Sequence, residues 1–286
     1  MAREADLLPV PYFYLVFTLP SILNDWVIRE PKLVYQTLFR AAWQTIQVFS
    51  KDEEYLGAKT GMIAILHSWG QNLSLHLYIH CIISGGGLEE MGVWKNAKNE
   101  GKYLFPVKAM SQVFRAKFVA MLRQIVEKQS IDLPNEYAVY KQIFKKKWVV
   151  YAKRPFGSPK SVLEYLGRYS HKIAISNHRI LEVKDGKVSF AYKDYRQNGE
   201  KKVMQLSETE FIRRFALHLL PSGFMRIRHY VILLSGHKKR YLAAARQSPL
   251  AQGKTLPQPP KNGQNWEEIA KNCLDFDVKK CFCGDE

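Results

Sequence analysis

Two apolar, β-branched runs separated by a short polar segment constrain the fold more than any other feature of the sequence. They are "TGMIAILHS" (60–68) and "LSLHLYIHCIIS" (73–84), with "WGQN" between them. Runs of this length and composition read as strands, and so short a connection makes them antiparallel neighbours. "YFYLVFTLP" (12–20), closed by Pro20, supplies a third buried strand, and "KKKWVVYAKRP" (145–155) a fourth. Between them, Leu33, Leu38, Ala41, Ala42, Ile46 and Phe49 recur near helical spacing, which predicts an amphipathic helix from Lys32 to Val48; a second is expected over 111–128. "SPKSVLEYLGRYSHK" (158–172) opens with a Ser-Pro helix start, and "IAISNHRILEVKDGKVSFAYKDYR" carries strand, Asp-Gly turn and strand. The expected class is α+β, an antiparallel sheet with helices packed on it and additional C-terminal segments.

The 286-residue chain is 47% hydrophobic, enough for a substantial core. Residues 1–247 are expected to form one domain, and 248–286, opening with the aperiodic "SPLAQGKTLPQPPKNGQN", a flexible linker and short tail. No apolar run is long enough to span a bilayer, and the first twenty residues carry acids and prolines where a signal sequence has a basic and an apolar region, so a cytoplasmic, nucleoid-associated location is expected. Cys81, Cys273, Cys281 and Cys283 do not form a disulfide framework for a chain this long, and "CFCG" lacks the C-x-x-C spacing of a zinc knuckle, so no zinc is expected.

Lysine and arginine number 43 against 26 acids, a formal net charge of +17. Such an excess repels itself in a compact body unless an anionic partner offsets it, and nucleic acid is the partner it suits; a generally basic surface is the plainer alternative. The excess gathers in "KQIFKKKWVVYAKR" with Lys153 and Arg154, in "RRF" and "RIRHY" with Arg213, Arg214, Arg226 and Arg228, and in "HKKR" with Lys238 and Lys239. Aromatic residues interleave these clusters, as in proteins that combine phosphate contacts with base stacking on single strands.

Alternation along an extended strand places His76, Tyr78 and His80 on one face. Histidines two apart have Cα atoms roughly 6.6 Å from each other and can share one ion, whereas His76 and His80 are roughly 13 Å apart on the same rise. The strand is therefore either a ligand strand with a tyrosine at its centre or two histidines facing a polar groove. Tyr165 and Tyr169 in "EYLGRYS" lie four apart, on one helix face. A tyrosine that attacks a phosphodiester conserves its bond energy in a phosphotyrosine, and a second tyrosine can take the next strand; packing is the alternative for the same spacing. Arg168 between them suits contact with a phosphate or an acid, and His171 a helix C-terminal position. Gly85, Gly86 and Gly87 read as a tight turn or a phosphate cradle, and His67 and Trp69 as groove lining or sheet-edge packing.

In context, "LLPVPYFYLVFTLP", "LHSWGQNLSLHLYIHCIISGGGL", "LFPVKAMSQVFRAKF", "YAKRPFGSPKSVLEYLGRYSHKIAISNHRI" and "EFIRRFALHLLPSGFMRIRHY" resemble, in order, the blocks of two-tyrosine transposases of the insertion sequence 91 type, within the HUH superfamily of single-strand endonucleases. The resemblance covers roughly 7–240. It implies a ferredoxin-like, HUH/Rep-type sheet whose central strands carry the "FTLP" and histidine blocks, with the tyrosine helix across them. It implies Tyr165 and Tyr169 as nucleophiles and His80 as the second histidine of the metal motif, with Tyr78 and Tyr14 standing where the family has histidine. A divalent metal, Mg or Mn, is implied at Tyr14, Tyr78 and His80, with His76, Gln71 or Glu164 as substitute donors. The family's N-terminal cysteine-rich module is expected to be missing, since Met1 lies just before the first block. The expected function is rolling-circle transposition on single-stranded DNA, including element ends and hairpins, through a phosphotyrosine intermediate. A derivative that grips such DNA without cutting it is the alternative, and an RNA-binding protein a third.

Overall fold

The computed structural model describes residues 10–89, 92–98, 104–153, 155–156, 161–162, 165 and 174–233. Its frame is a sheet of six strands in the order β5-β1-β3-β2-β9, with β4 paired to the far end of β3. These are β1 (Tyr12–Thr18), β2 (Lys59–Trp69), β3 (Leu75–Leu88), β4 (Trp94–Asn96), β5 (Val149–Lys153) and β9 (Ile227–Tyr230), every pairing antiparallel. Helices accompany them, among them α1 (Asn24–Arg29), α2 (Pro31–Lys51), α3 (Val107–Gln129) and α4 (Glu136–Ile143). The chain order β1-α2-β2-β3-α3-β5, with β1 and β3 at the centre, is the βαββαβ arrangement of ferredoxin-like folds.

The sheet's two faces have different fates. Phe13, Leu15 and Phe17 of β1, Met62, Ala64 and Leu66 of β2, and Leu77, Ile79, Cys81 and Ile83 of β3 pack under α2 and α3 in the main core, where burial also pushes the Cys81 thiol up and leaves it unionised. The alternate residues, Tyr12, Tyr14, Ile63, His67, Tyr78, His80 and Ile82, point the other way. Tyr12, Ile63 and Ile82 join a second, smaller cluster with Val162, beside which Phe156 and Tyr165 lie half-buried. Ser161, Val162 and Tyr165 are helical, and Val162 and Tyr165 pack on the face opposite α2 and α3.

The glycine triplet is neither a turn nor a cradle. Gly85, Gly86 and Gly87 are buried residues of β3, which runs on to Leu88. Three neighbours approach too closely for any side chain there. A Cβ at Gly85 would meet the Phe13 ring at 2.7 Å, one at Gly86 the Trp94 ring at 2.6 Å, and one at Gly87 the Lys59 carbonyl oxygen at 2.5 Å.

A second sheet, β6 (Ile180–Lys184), β7 (Lys187–Asp194) and β8 (Glu200–Ser207), is followed by α5 (Glu208–Ala216). The expected Asp-Gly turn joins β6 to β7, with Asp185 and Gly186 at φ of 51° and 70°. Ser207 caps α5 by accepting from the Glu210 N–H. Phe190 anchors a third cluster with Leu73, Ala174 and Ile175, with Phe211 and Phe215 packed against it. Among the described residues no helix is long and apolar enough to cross a membrane. Residues 248–286 lie outside the described residues.

Candidate active site

His80 sits in the middle of β3, opposite Val16 of β1 and Ile65 of β2, so its ring is fixed by strands on both sides and is only 4% exposed. Two phenols converge on its Nδ1: the Tyr14 hydroxyl at 2.5 Å and the Tyr165 hydroxyl at 2.8 Å. The three come from β1, β3 and the tyrosine helix. A neutral imidazole nitrogen has one lone pair, so it accepts from one phenol at a time. Once protonated, the same nitrogen donates instead. Tyr14, Tyr165 and Phe156 stack edge-to-face in a ring, with centroids 5.1 to 6.4 Å apart, holding both phenols in place. Lys153, the register partner of Tyr14 on β5, holds its ammonium 5.9 Å from the Tyr14 ring and brings an exposed cation to this group.

Tyr78, next on the same face, meets His80 edge-on at 5.0 Å and lies flat on His67 at 4.6 Å. His67, pairing with Tyr78 across β2, is 5% exposed and 5.6 Å from His80. The sequence left it open between groove and packing; it belongs to the site's inner wall. Trp69 continues this row, 4.0 Å from His67. His76 is exposed at the outer end of the face, its ring 5.2 Å from Tyr78. Tyr169, Glu164 and His171 lie outside the described residues.

These donors do not suit Mg. Among the described residues no three His, Cys, Asp or Glu side chains gather as ligands. Here one imidazole shares its Nδ1 with two phenols, and Mg favours carboxylate, carbonyl and water oxygens in a near-ideal octahedron. Gln71, a substitute donor on the sequence reading, gives its backbone carbonyl to the Arg179 guanidinium.

The cations expected to hold DNA fall into distinct places. Lys153 stands at the site. Arg213 and Arg214 both pair with Glu210 on α5, at 2.6 and 2.7 Å, and hold that carboxyl down at about 2. Arg226 donates to the Leu66 carbonyl and lies 4.9 Å over Trp69. Arg228, paired with Ala64, lies on the helix side of the sheet, 4.2 Å over Phe39. Arg154, Arg168, Lys238 and Lys239 lie outside the described residues.

The site is thus a histidine shared by two tyrosines on the face of an antiparallel βαββαβ sheet opposite α2 and α3. Residues 61–240 match the model of a family described as "Putative transposase". The chain is 42% identical over 254 residues to "Putative transposase y4qJ" of Sinorhizobium fredii, covering 85% of this chain and 64% of that protein. It is 24% identical over 295 residues to the "Transposase for insertion sequence element IS801" of Pseudomonas savastanoi pv. phaseolicola, covering 96% of this chain and 66% of that one. The chain thus spans just under two thirds of the length of these relatives. No solved structure matches it. The chain belongs to this transposase family.

Proposed function

We propose that the chain acts on single-stranded DNA as a transposase that cuts and rejoins through a phosphotyrosine at Tyr165, in a rolling-circle mode. The observation that supports this is the 2.8 Å approach of the Tyr165 hydroxyl to His80 Nδ1. Geometry of this kind joins a nucleophile to its base. In the proposed step His80 Nδ1 takes the phenol proton as the Tyr165 oxygen bonds to phosphorus. The phosphorus bond to one sugar oxygen breaks, and that oxygen leaves with a proton from water. Rejoining runs in reverse: a strand hydroxyl attacks the phosphotyrosine and gives its proton to the hydroxide that the first step left in solvent, and His80 returns the other proton to the departing Tyr165 oxygen. Lys153, whose ammonium lies 5.9 Å from the Tyr14 ring, meets the charge that grows on the phosphate in this step.

Incubation of the full chain with end-labelled single-stranded DNA, with and without Mn, followed by a denaturing gel, tests the reading. A protein–DNA adduct present in the natural chain and absent in Tyr165→Phe supports it. Salt-sensitive binding with no adduct under any condition would overturn it in favour of a protein that grips DNA without cutting.

A further inference from the structure

The second sheet has a face that the other described residues leave uncovered, and its charge is arranged in a way that folding alone does not favour. Val188, Phe190, Met204 and Leu206 turn toward the protein, so Lys187, Ser189, Ala191 and Lys193 of β7, with Lys201, Val203 and Gln205 of β8, turn outward. A hydrogen bond from the Gln205 amide to the Ser189 hydroxyl, 3.3 Å, runs along this outer face. In the register, Lys193 stands directly opposite Lys201, and Lys184 of β6 directly opposite Lys187. All four are exposed, and among the described residues none of them forms an ion pair. Like charges directly opposite in an antiparallel pair destabilise it. The local acids do not relieve them. Asp194 and Glu200, one register step from the Lys193–Lys201 pair, are taken on the other face by Lys202 at 3.2 and 3.7 Å. Glu182 is the one acid in the outward rows described.

We propose that this face binds the phosphate backbone of double-stranded DNA, the duplex flank or hairpin stem adjoining the single strand that enters the tyrosine site. It rests on the DNA-acting reading of that site and adds a second, separate contact. The two lysine pairs are six residues apart along β7, roughly 20 Å at strand rise, the axial length of about six base pairs. Between them Ser189 and Ala191 are small, which lets a duplex lie close. The outward rows place no aromatic ring between the pairs, so the face offers charge without the stacking platform that single strands use.

The test is fluorescence anisotropy of a labelled duplex, titrated over a range of salt, with the full chain and with Lys184→Gln/Lys187→Gln/Lys193→Gln/Lys201→Gln. The expected result is a fall of roughly 3 to 4 in the slope of log affinity against log salt, and weaker duplex binding by roughly two to three orders of magnitude near 0.1 M salt. The same four positions as arginine should keep the natural slope. Because two like-charge pairs disappear, the glutamine variant should melt no lower than the natural chain, which separates lost contact from lost folding. An unchanged slope overturns the proposal, and so does an equal loss for single-stranded and duplex DNA. The Tyr165 adduct on single-stranded DNA should form in this variant, so its absence from the natural chain is a failure of the active-site reading and a duplex slope that stays put is a failure of this one.

Discussion

At the scale of single residues, the proposed chemistry turns on one nitrogen atom. His80 Nδ1 has two phenols within hydrogen-bond distance and one lone pair, so Tyr14 and Tyr165 occupy different stages of its proton cycle. In the proposed step it draws the proton from Tyr165 while neutral and, once protonated, donates to the Tyr14 oxygen as the Tyr165 oxygen attacks. Two expectations follow for adduct formation under single-turnover conditions. His80→Gln should lower the rate by roughly 10² to 10⁴, the usual contribution of a positioned base. Tyr14→Phe should lower it about tenfold, the loss of one hydrogen bond worth ~1.4 kcal/mol. Equal rates for His80→Gln and the natural chain would remove His80 from the chemistry. Part of this was legible in the sequence. Strand alternation put His80 and Tyr78 on one face, and helical spacing marked Tyr165. That Tyr14 meets the same nitrogen was not, since a contact across 66 residues depends on strand order, which no local pattern records.

At the scale of elements, the turn joining β2 to β3 is held from outside. Its Gln71 carbonyl accepts from Arg179, its Asn72 carbonyl from Arg214 at 3.4 Å, and its Leu73 carbonyl from His218 Nε2 at 3.1 Å. The donors flank or follow the second sheet, so that sheet braces the strand pair carrying His67 and His80. Leu73 itself takes φ of 60°, a left-handed value that costs a leucine of order 1–3 kcal/mol and is held here by burial and these bonds. Burial pulls the His218 pKa below its ordinary 6.5, so the folded protein holds it neutral. Its contribution is fully present above pH 6.5 and is lost as pH falls below it, because the unfolded chain takes the proton first. Melting temperatures followed from pH 8 to 5 should fall more steeply for the natural chain than for His218→Asn, and parallel profiles would contradict the assignment. Gly87 gives a second expectation. Its missing Cβ would press on backbone atoms of Lys59 and Thr60, with no side chain to swing aside. Gly87→Ala should cost about 3 kcal/mol in denaturant unfolding. Three consecutive glycines read locally as a turn; only the approach of Phe13, Trp94 and Lys59 explains them as strand.

At the scale of the whole molecule, most of the architecture was written in periodicity. Both long helices, the central strands and the Asp-Gly hairpin fall where the spacing of apolar residues puts them, with ends shifted by a few residues. α4, short and half polar, carries no such signal. Charge was legible only where it ran together. "RRF" stood out in the sequence, yet Glu210 takes both of its arginines. Lysines 184, 187, 193 and 201, scattered along three strands, form one face only when the strands pair. The described residues thus present cations in two settings, Lys153 beside the tyrosines on the first sheet and a row of exposed lysines on the second. The central claim is that Tyr165 carries the DNA in the covalent state. Its most direct test is protease digestion of the adduct and mass spectrometry of the linked peptide. The expected result is a nucleotide remnant on the peptide containing Tyr165, with the mass attached at that residue. A remnant mapped to any other residue, or an adduct that persists in Tyr165→Phe, would contradict it.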